Sequence, residues 1–173
     1  MTRLWTSASV MGALLLAACG DSEPRPSQPP ANEAERPALT PEQALTNADW
    51  SLIASGEGVA LRLEGQDDLI AGVACMRDPA GLRVETDRFR PIMSEDRFTV
   101  GVGGEAYALA ADLQADRERG VEASGDIPAD LLDRLAAGGE IACNYGAQNL
   151  GPFPAVAPAD RDAFVAGCRE ALG

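Results

Sequence analysis

The 173-residue chain contains no histidine and no lysine, so all 14 of its basic residues are arginines. These absences exclude catalytic and metal sites that need an imidazole, and they exclude Schiff-base and phosphate-loop lysines. The chain has 27 acidic residues and a formal charge of −13. Because such a chain repels phosphate backbones, we expect no nucleic-acid partner.

The N-terminus has the pattern of a secretory signal. Arg3 gives it a positive start, and residues 10–18 are an apolar stretch much shorter than the roughly 20 residues that cross a bilayer. The stretch ends in Leu16-Ala17-Ala18-Cys19, which resembles the lipobox of bacterial lipoproteins. The resemblance implies that residues 1–18 are a signal peptide that is removed, and that Cys19 is lipidated and anchors the mature protein in the membrane.

The residue after the cysteine bears on location within the cell envelope. In lipoproteins of this kind an aspartate at that position acts as a signal for retention in the inner membrane, whereas here the residue is Gly20. We therefore expect a lipid-anchored protein that faces the periplasm, with the outer membrane favoured over the inner membrane.

Residues 19–47 have the composition of a flexible tether. They have no aromatic side chain and almost no branched aliphatic ones, so they cannot form a core. Proline recurs in them and favours extended conformations, at positions Pro24, Pro26, Pro29, Pro30, Pro37 and Pro41. We expect a single globular domain at residues 48–173.

Within that domain, the apolar pattern has period two in the first half and helical spacing later. It predicts strands at residues 59–63, 69–76, 82–86, 98–102 and 141–145, and favours strands at 105–113 and 121–123. A helix is predicted to begin at residues 126–130 and to end at Gly138-Gly139, and a second one to run from about Ala159. The predicted class is α+β, a mainly antiparallel sheet forming a sandwich or partial barrel, with two short helices in the C-terminal half.

The last helix also carries a family resemblance. Phe164-Val165-Ala166-Gly167-Cys168-Arg169 resembles the closing helix of uncharacterised envelope lipoproteins of Gram-negative bacteria. Ile127-Pro128-Ala129-Asp130-Leu131-Leu132, with the strand and helix that follow, is similar to the C-terminal half of the invasion-associated locus B proteins and to accessory periplasmic proteins of type VI secretion. These resemblances imply an envelope location and bring no catalytic motif with them.

Three cysteines remain beside Cys19, and an oxidising envelope predicts one disulfide and one thiol among them. Any two of Cys75, Cys143 and Cys168 could pair. We favour Cys75 with Cys168, because Cys168 lies on the apolar face of the last helix and Cys75 lies in a strand which that helix could cover. Cys143 is then expected to be a buried free thiol.

The segment after residues 141–143 has the most site-like chemistry. It groups amides with a phenol, which can bind a sugar or a peptide, and the candidate binding residues are Asn144, Tyr145, Gln148 and Asn149. The alternative is that these side chains satisfy a turn. The glycines at 101–104 lack a phosphate-loop lysine, and the acidic pairs lack calcium-loop spacing, so we expect no cofactor and no metal.

These features predict a non-enzymatic binding or accessory module whose partner is an envelope protein or a glycan. One alternative is a carboxylate-dependent hydrolase resembling a glycosidase, which needs neither histidine nor metal but needs two carboxyl groups about 5 to 9.5 Å apart. Another alternative is an inhibitor of a lytic enzyme.

Overall fold

The computed structural model describes Leu45 and residues 48–65 and 68–171. The predicted signal peptide, Cys19 and most of the predicted tether lie outside the described residues. The described strands are β1 (Asp49–Ser55), β2 (Gly58–Gly65), β3 (Asp68–Arg77), β4 (Ala80–Thr86), β5 (Arg97–Val102), β6 (Glu105–Ala111), β7 (Val121–Gly125), β8 (Ile141–Tyr145) and β9 (Gln148–Leu150). The described helices are α1 (Ala129–Ala136) and α2 (Pro158–Ala171), with a single 3-10 turn at Arg117–Arg119.

All of the described strands belong to one antiparallel sheet in the order β1-β2-β3-β4-β7-β6-β5-β8-β9. The predicted α+β class, with a mainly antiparallel sheet and two short helices in the C-terminal half, is confirmed. The sheet is open, since among the described residues β1 and β9 are not paired with each other. Its two ends nevertheless come close, because Trp50 of β1 donates a hydrogen bond from Nε1 to the carbonyl of Pro154 at 2.7 Å.

The period-two pattern gives the sheet one apolar face and one polar face. Along β2, Val59, Leu61 and Leu63 are buried, while the intervening Ala60 and Arg62 are only partly covered. The same alternation on β4 turns large aliphatic side chains to the inner face. Burial of such side chains contributes roughly 1.5 to 3 kcal/mol each and drives assembly of the sheet.

The two helices cover this inner face. α1 buries Leu131, Leu132 and Leu135, and the chain leaves it, as the sequence predicts, at Gly138, which has a φ of 83°. α2 buries Phe164, Val165 and Cys168. Gly167 allows α2 to approach β2 closely, because a Cβ at this position would lie 2.8 Å from Cγ1 of Val59.

A disulfide joins α2 to the sheet. Cys75 of β3 and Cys168 of α2 are bonded, with their Cα atoms 5.2 Å apart, and neither side chain is exposed. The predicted pairing is therefore confirmed. Cys143 is free and buried, and burial raises the pKa of its thiol to about 12, so that the thiol stays protonated at neutral pH.

Removing this disulfide is expected to destabilise the domain strongly. The two cysteines are 93 residues apart in sequence. A loop of about this length corresponds to roughly 4 to 5 kcal/mol of stability in the chain-entropy model. The Cys75→Ala/Cys168→Ala variant should unfold at a much lower urea concentration than the wild type, and Cys143→Ala, which removes a buried sulfur without a cross-link, is the control. Equal unfolding midpoints for the double variant and the wild type would contradict the cross-linking role.

Candidate binding groove

The outer face of β1–β4 contains a shallow groove with a volume of about 260 Å³. Two other cavities of the described residues, of about 30 and 10 Å³, hold no more than a water molecule or so. The groove is open to solvent on the face that the helices do not cover. Of these three cavities in the described residues, the groove has room for a ligand group.

Small outward-facing residues create the groove. The register places Ala60 of β2 opposite Ala74 of β3. Gly72, two residues before Ala74 on β3, lies on the same face. Larger side chains stand around this floor, namely those of Ile53, Arg62, Met76, Arg83 and Glu85. The groove is as deep as the difference in length between the small side chains of the floor and the larger ones around it. Such a groove can accept an extended chain or a short side chain.

Glycine at position 72 leaves room for a neighbouring side chain. Glu85 of β4 lies opposite Gly72, and a Cβ added to Gly72 would stand 2.8 Å from Cγ of Glu85. The Glu85 side chain therefore lies across the glycine. Its carboxylate contributes negative charge to the groove between the arginines of β2 and β4.

The two arginines of the groove differ in how they are paired. Arg83 donates from one terminal nitrogen to Glu122 of β7 at 2.6 Å. Nε of Arg62 is 3.6 Å from Glu64 and has no hydrogen-bond partner within the described parts of the chain. The buried Nε–H of Arg62 is thus a donor with unused capacity, and the groove combines an apolar floor with charges of both signs.

The candidate binding residues predicted from the sequence lie elsewhere, in the β8–β9 hairpin at the other end of the sheet. Tyr145 is only 1% exposed and packs against Phe89 and Phe98. Its hydroxyl accepts a hydrogen bond from the backbone nitrogen of Ile92 and lies 2.9 Å from the carbonyls of Ile92 and Glu95. The phenol thus holds the 92–95 segment against β8.

The three amides of the hairpin are also engaged within the chain. Gln148 donates to the carbonyl of Arg90 at 2.9 Å and accepts from its backbone nitrogen at 2.8 Å. Asn144 donates to the side-chain oxygen of Asn149 at 2.7 Å and to the carbonyl of Gln148 at 3.2 Å. These contacts support the turn-satisfying alternative for the hairpin, and a role in binding stays a prediction.

A third cluster links the first turn of α1 to β6. Tyr107 donates its hydroxyl to Oδ2 of Asp130 at 2.7 Å, and Nε of Arg134 is 3.6 Å from the same oxygen. The hydrogen bond from Tyr107 is the main cause that lowers the pKa of Asp130. Burial first, and then the nearby Asp130, raise the pKa of Tyr107. The phenol keeps its proton and the carboxyl stays ionised, so the pair is poorly suited to transferring protons. Its hydrogen bond instead attaches the first turn of α1 to β6.

No group of three or more cysteines or acids among the described residues is arranged to hold a metal ion. None of the helices described in residues 48–171 is long and apolar enough to cross a membrane.

Comparison of the chain with protein-family models, with curated proteins and with solved structures finds no match.

Replacing Tyr107 by phenylalanine should raise the pKa of Asp130 towards its ordinary value. A carboxyl whose native pKa is lowered stabilises the fold above its unfolded pKa of about 3.9, and this contribution is lost as the pH falls through the native value. Tyr107→Phe should therefore lose less of its stability on acidification than the wild type does. Carboxyl-carbon NMR titration and urea unfolding between neutral and acidic pH measure the two effects.

The matched control is Asp130→Asn, which removes the titrating group. In the Asp130→Asn background, Tyr107→Phe should leave the acid dependence of unfolding unchanged. An unchanged pKa of Asp130 in the single variant Tyr107→Phe would show that the hydrogen bond is not the cause of the shift.

Proposed function

We propose that this protein is a lipid-anchored periplasmic protein of the bacterial envelope, whose folded domain is a non-enzymatic binding module for another envelope protein. The single observation that carries the binding proposal is the groove on the outer face of β1–β4. The anchor proposal is carried by the sequence around Cys19.

The N-terminal sequence supports the anchor in two ways. Leu16-Ala17-Ala18-Cys19 follows a short apolar stretch, as a lipobox does, and the proline-rich residues after it separate the cysteine from the domain. Several acyl chains at about 0.8 kcal/mol per buried methylene hold a protein on a bilayer firmly. Gly20 in place of an aspartate favours the outer membrane.

The chemistry of the groove supports a protein partner over a glycan. Sugars are commonly held by stacking on aromatic rings, and no aromatic ring is among the described residues that line the groove. Ile53 and Met76 instead offer aliphatic surface, and Arg62 and Glu85 offer a donor and an acceptor. An extended polypeptide matches this mixture of short apolar and polar groups.

The geometry of the groove favours binding over glycoside hydrolysis. Two acids line it, Glu57 and Glu85. The backbone nitrogen of Arg77 donates to the carbonyl of Glu57 at 2.9 Å, so Glu57 lies beside Arg77 of β3. Glu85 lies opposite Gly72, which comes five residues before Arg77 on β3. Strand spacings place the Cα atoms of the two acids about 20 Å apart, which leaves the carboxyl groups beyond the range of about 5 to 9.5 Å that glycosidases use.

The anchor is tested at Cys19. The wild-type protein from its native host should have the mass of residues 19–173 plus three acyl chains and a glycerol, and it should partition into detergent after phase separation. Cys19→Ser removes the sulfur that accepts the lipid, so the variant should keep its signal peptide or be released in soluble form. Unmodified wild-type Cys19 on a soluble chain would contradict the anchor.

The groove is tested by filling it. In the Ala60→Gln/Ala74→Gln variant, two polar side chains occupy the floor without entering the core. When the detergent-solubilised chain is used to capture envelope proteins, at least one protein retained by the wild type should be lost from this variant. Ser124→Gln, on the same outer face but outside the groove, is the control and should retain it. Identical capture by all three proteins would overturn a binding role for the groove.

A further inference from the structure

We propose that the groove on the outer face of β1–β4 receives a lysine side chain of the partner protein, with its ammonium group on the carboxylate of Glu85. The inference rests on the proposed binding function and names the chemical group that the partner brings to the groove. It is drawn from the way the strand register places a carboxylate beside the apolar floor.

The strand register divides the outer face into two neighbouring rows of residues. The first row is apolar where it crosses β1, β2 and β3, and it consists of Ile53, Ala60 and Ala74. The second row, two residues away along the strands, consists of Arg62 on β2, Gly72 on β3 and Glu85 on β4. The rows are about 6.6 Å apart. A side chain that rests on the first row can therefore place its end in the second.

Glu85, the acid of the second row, forms no salt bridge within residues 48–65 and 68–171. Arg83, two residues before it on β4, is bonded to Glu122 of β7 at 2.6 Å. Arg62, on the other side of β3, has its Nε 3.6 Å from Glu64. Each arginine of the groove is thus offset by another acid, which leaves the charge of Glu85 for an incoming cation.

The carboxylate of Glu85 lies over the floor of the groove. Gly72 is buried although it is on the outer face, because the Glu85 side chain covers it. A Cβ built on Gly72 would stand 3.0 Å from Oε1 of Glu85. One oxygen of the carboxylate thus lies above β3, within reach of a side chain that rests on Ala74.

A lysine side chain has the two parts that this arrangement needs. Its four-carbon stem can lie on the methyl groups of Ala60 and Ala74 while its ammonium group reaches Glu85. Ile53 and Met76 add aliphatic surface beside this stem. The ammonium group is a compact charge that one oxygen can hold, whereas the planar guanidinium of arginine is held best by both oxygens of a carboxylate. The position of Oε1 over the floor therefore favours lysine over arginine.

The composition of the chain indicates that this lysine comes from a different protein. The chain contains no lysine, so a second copy cannot supply one. Its formal charge of −13 also attracts a partner that carries positive charge.

The test compares two synthetic peptides on the full chain in detergent. The probe is acetyl-Ser-Thr-Lys-Thr-Ser-amide, and its control has norleucine in place of lysine, which keeps the four-carbon stem and removes the ammonium group. The lysine peptide should bind about fivefold more tightly at low salt, the upper range for one exposed ion pair. In NMR spectra both peptides should shift the amide signal of Ala74, and only the lysine peptide should shift that of Gly72.

Glu85→Gln provides the matched variant, because it keeps the shape of the side chain and removes its charge. The two peptides should bind this variant equally, and both should still shift the signal of Ala74. Glu118→Gln removes the same charge from an exposed residue that does not line the groove, and it should keep the fivefold preference. Urea unfolding checks that both variants are folded.

Three results would overturn the proposal. They are equal affinity of the two peptides for the wild type, a lysine preference that persists in Glu85→Gln, and a lysine preference that Glu118→Gln also removes. Failure here differs from failure of the proposed function. If the groove-filled variant Ala60→Gln/Ala74→Gln loses a captured protein while the wild type shows no preference for the lysine peptide, the binding function stands and only the lysine assignment falls.

Discussion

The attachment of the last helix to the first strands is the constraint on which the rest of the structure depends. β1–β4 form a meander of local hairpins that cannot bury its inner face alone. The cover comes from α2, at the far end of the described chain, so folding must close a long loop before that burial is gained. Cys75 and Cys168 make the closure covalent, and Gly167 lets the helix approach β2 closely enough for Phe164 to be fully buried. Because burial of the inner face stabilises the sheet, the outer face can carry small residues that add little packing of their own.

Most of the fold could be predicted because the chain follows simple periodic rules. Inward positions of β2, β4, β5 and β8 alternate strictly, and the leucine stripe of α1 ends at glycine, so these elements are confirmed where the pattern predicts them. β1 and β9 were not predicted. In β1, Leu52, Ile53 and Ala54 are consecutive apolar residues, so the sequence shows no alternation there, since Ile53 is apolar although it lies exposed on the outer face. β9 spans Gln148–Leu150, too short for any period to appear, and only its pairing with β8 defines it.

The site was harder to predict, for two different reasons. Chemical type alone indicates the candidate residues Asn144, Tyr145, Gln148 and Asn149, although Ile141, Cys143 and Tyr145 share one face and that spacing turns the phenol inward. The period-two spacing of β8 thus predicts a buried Tyr145, whereas its chemical type predicts a binding residue. The groove had no such signal, because Ala60 and Gly72 are unremarkable in sequence and become a floor only through the register of three strands. Concavity made by absent side chains leaves no motif in a single sequence.

The acidic residues of the chain outnumber its arginines, and many of the arginines are paired with acids close by. Several arginines of the described domain are neutralised locally, as Arg83 is by Glu122, Arg134 by Glu105 and Arg169 by Asp133. These exposed pairs contribute little stability, about 0 to 1 kcal/mol each, so the surplus acids rather than the pairs determine how the surface meets other molecules. An exposed strand edge ordinarily invites pairing with any other edge. On a chain whose formal charge is −13, repulsion between copies opposes such pairing.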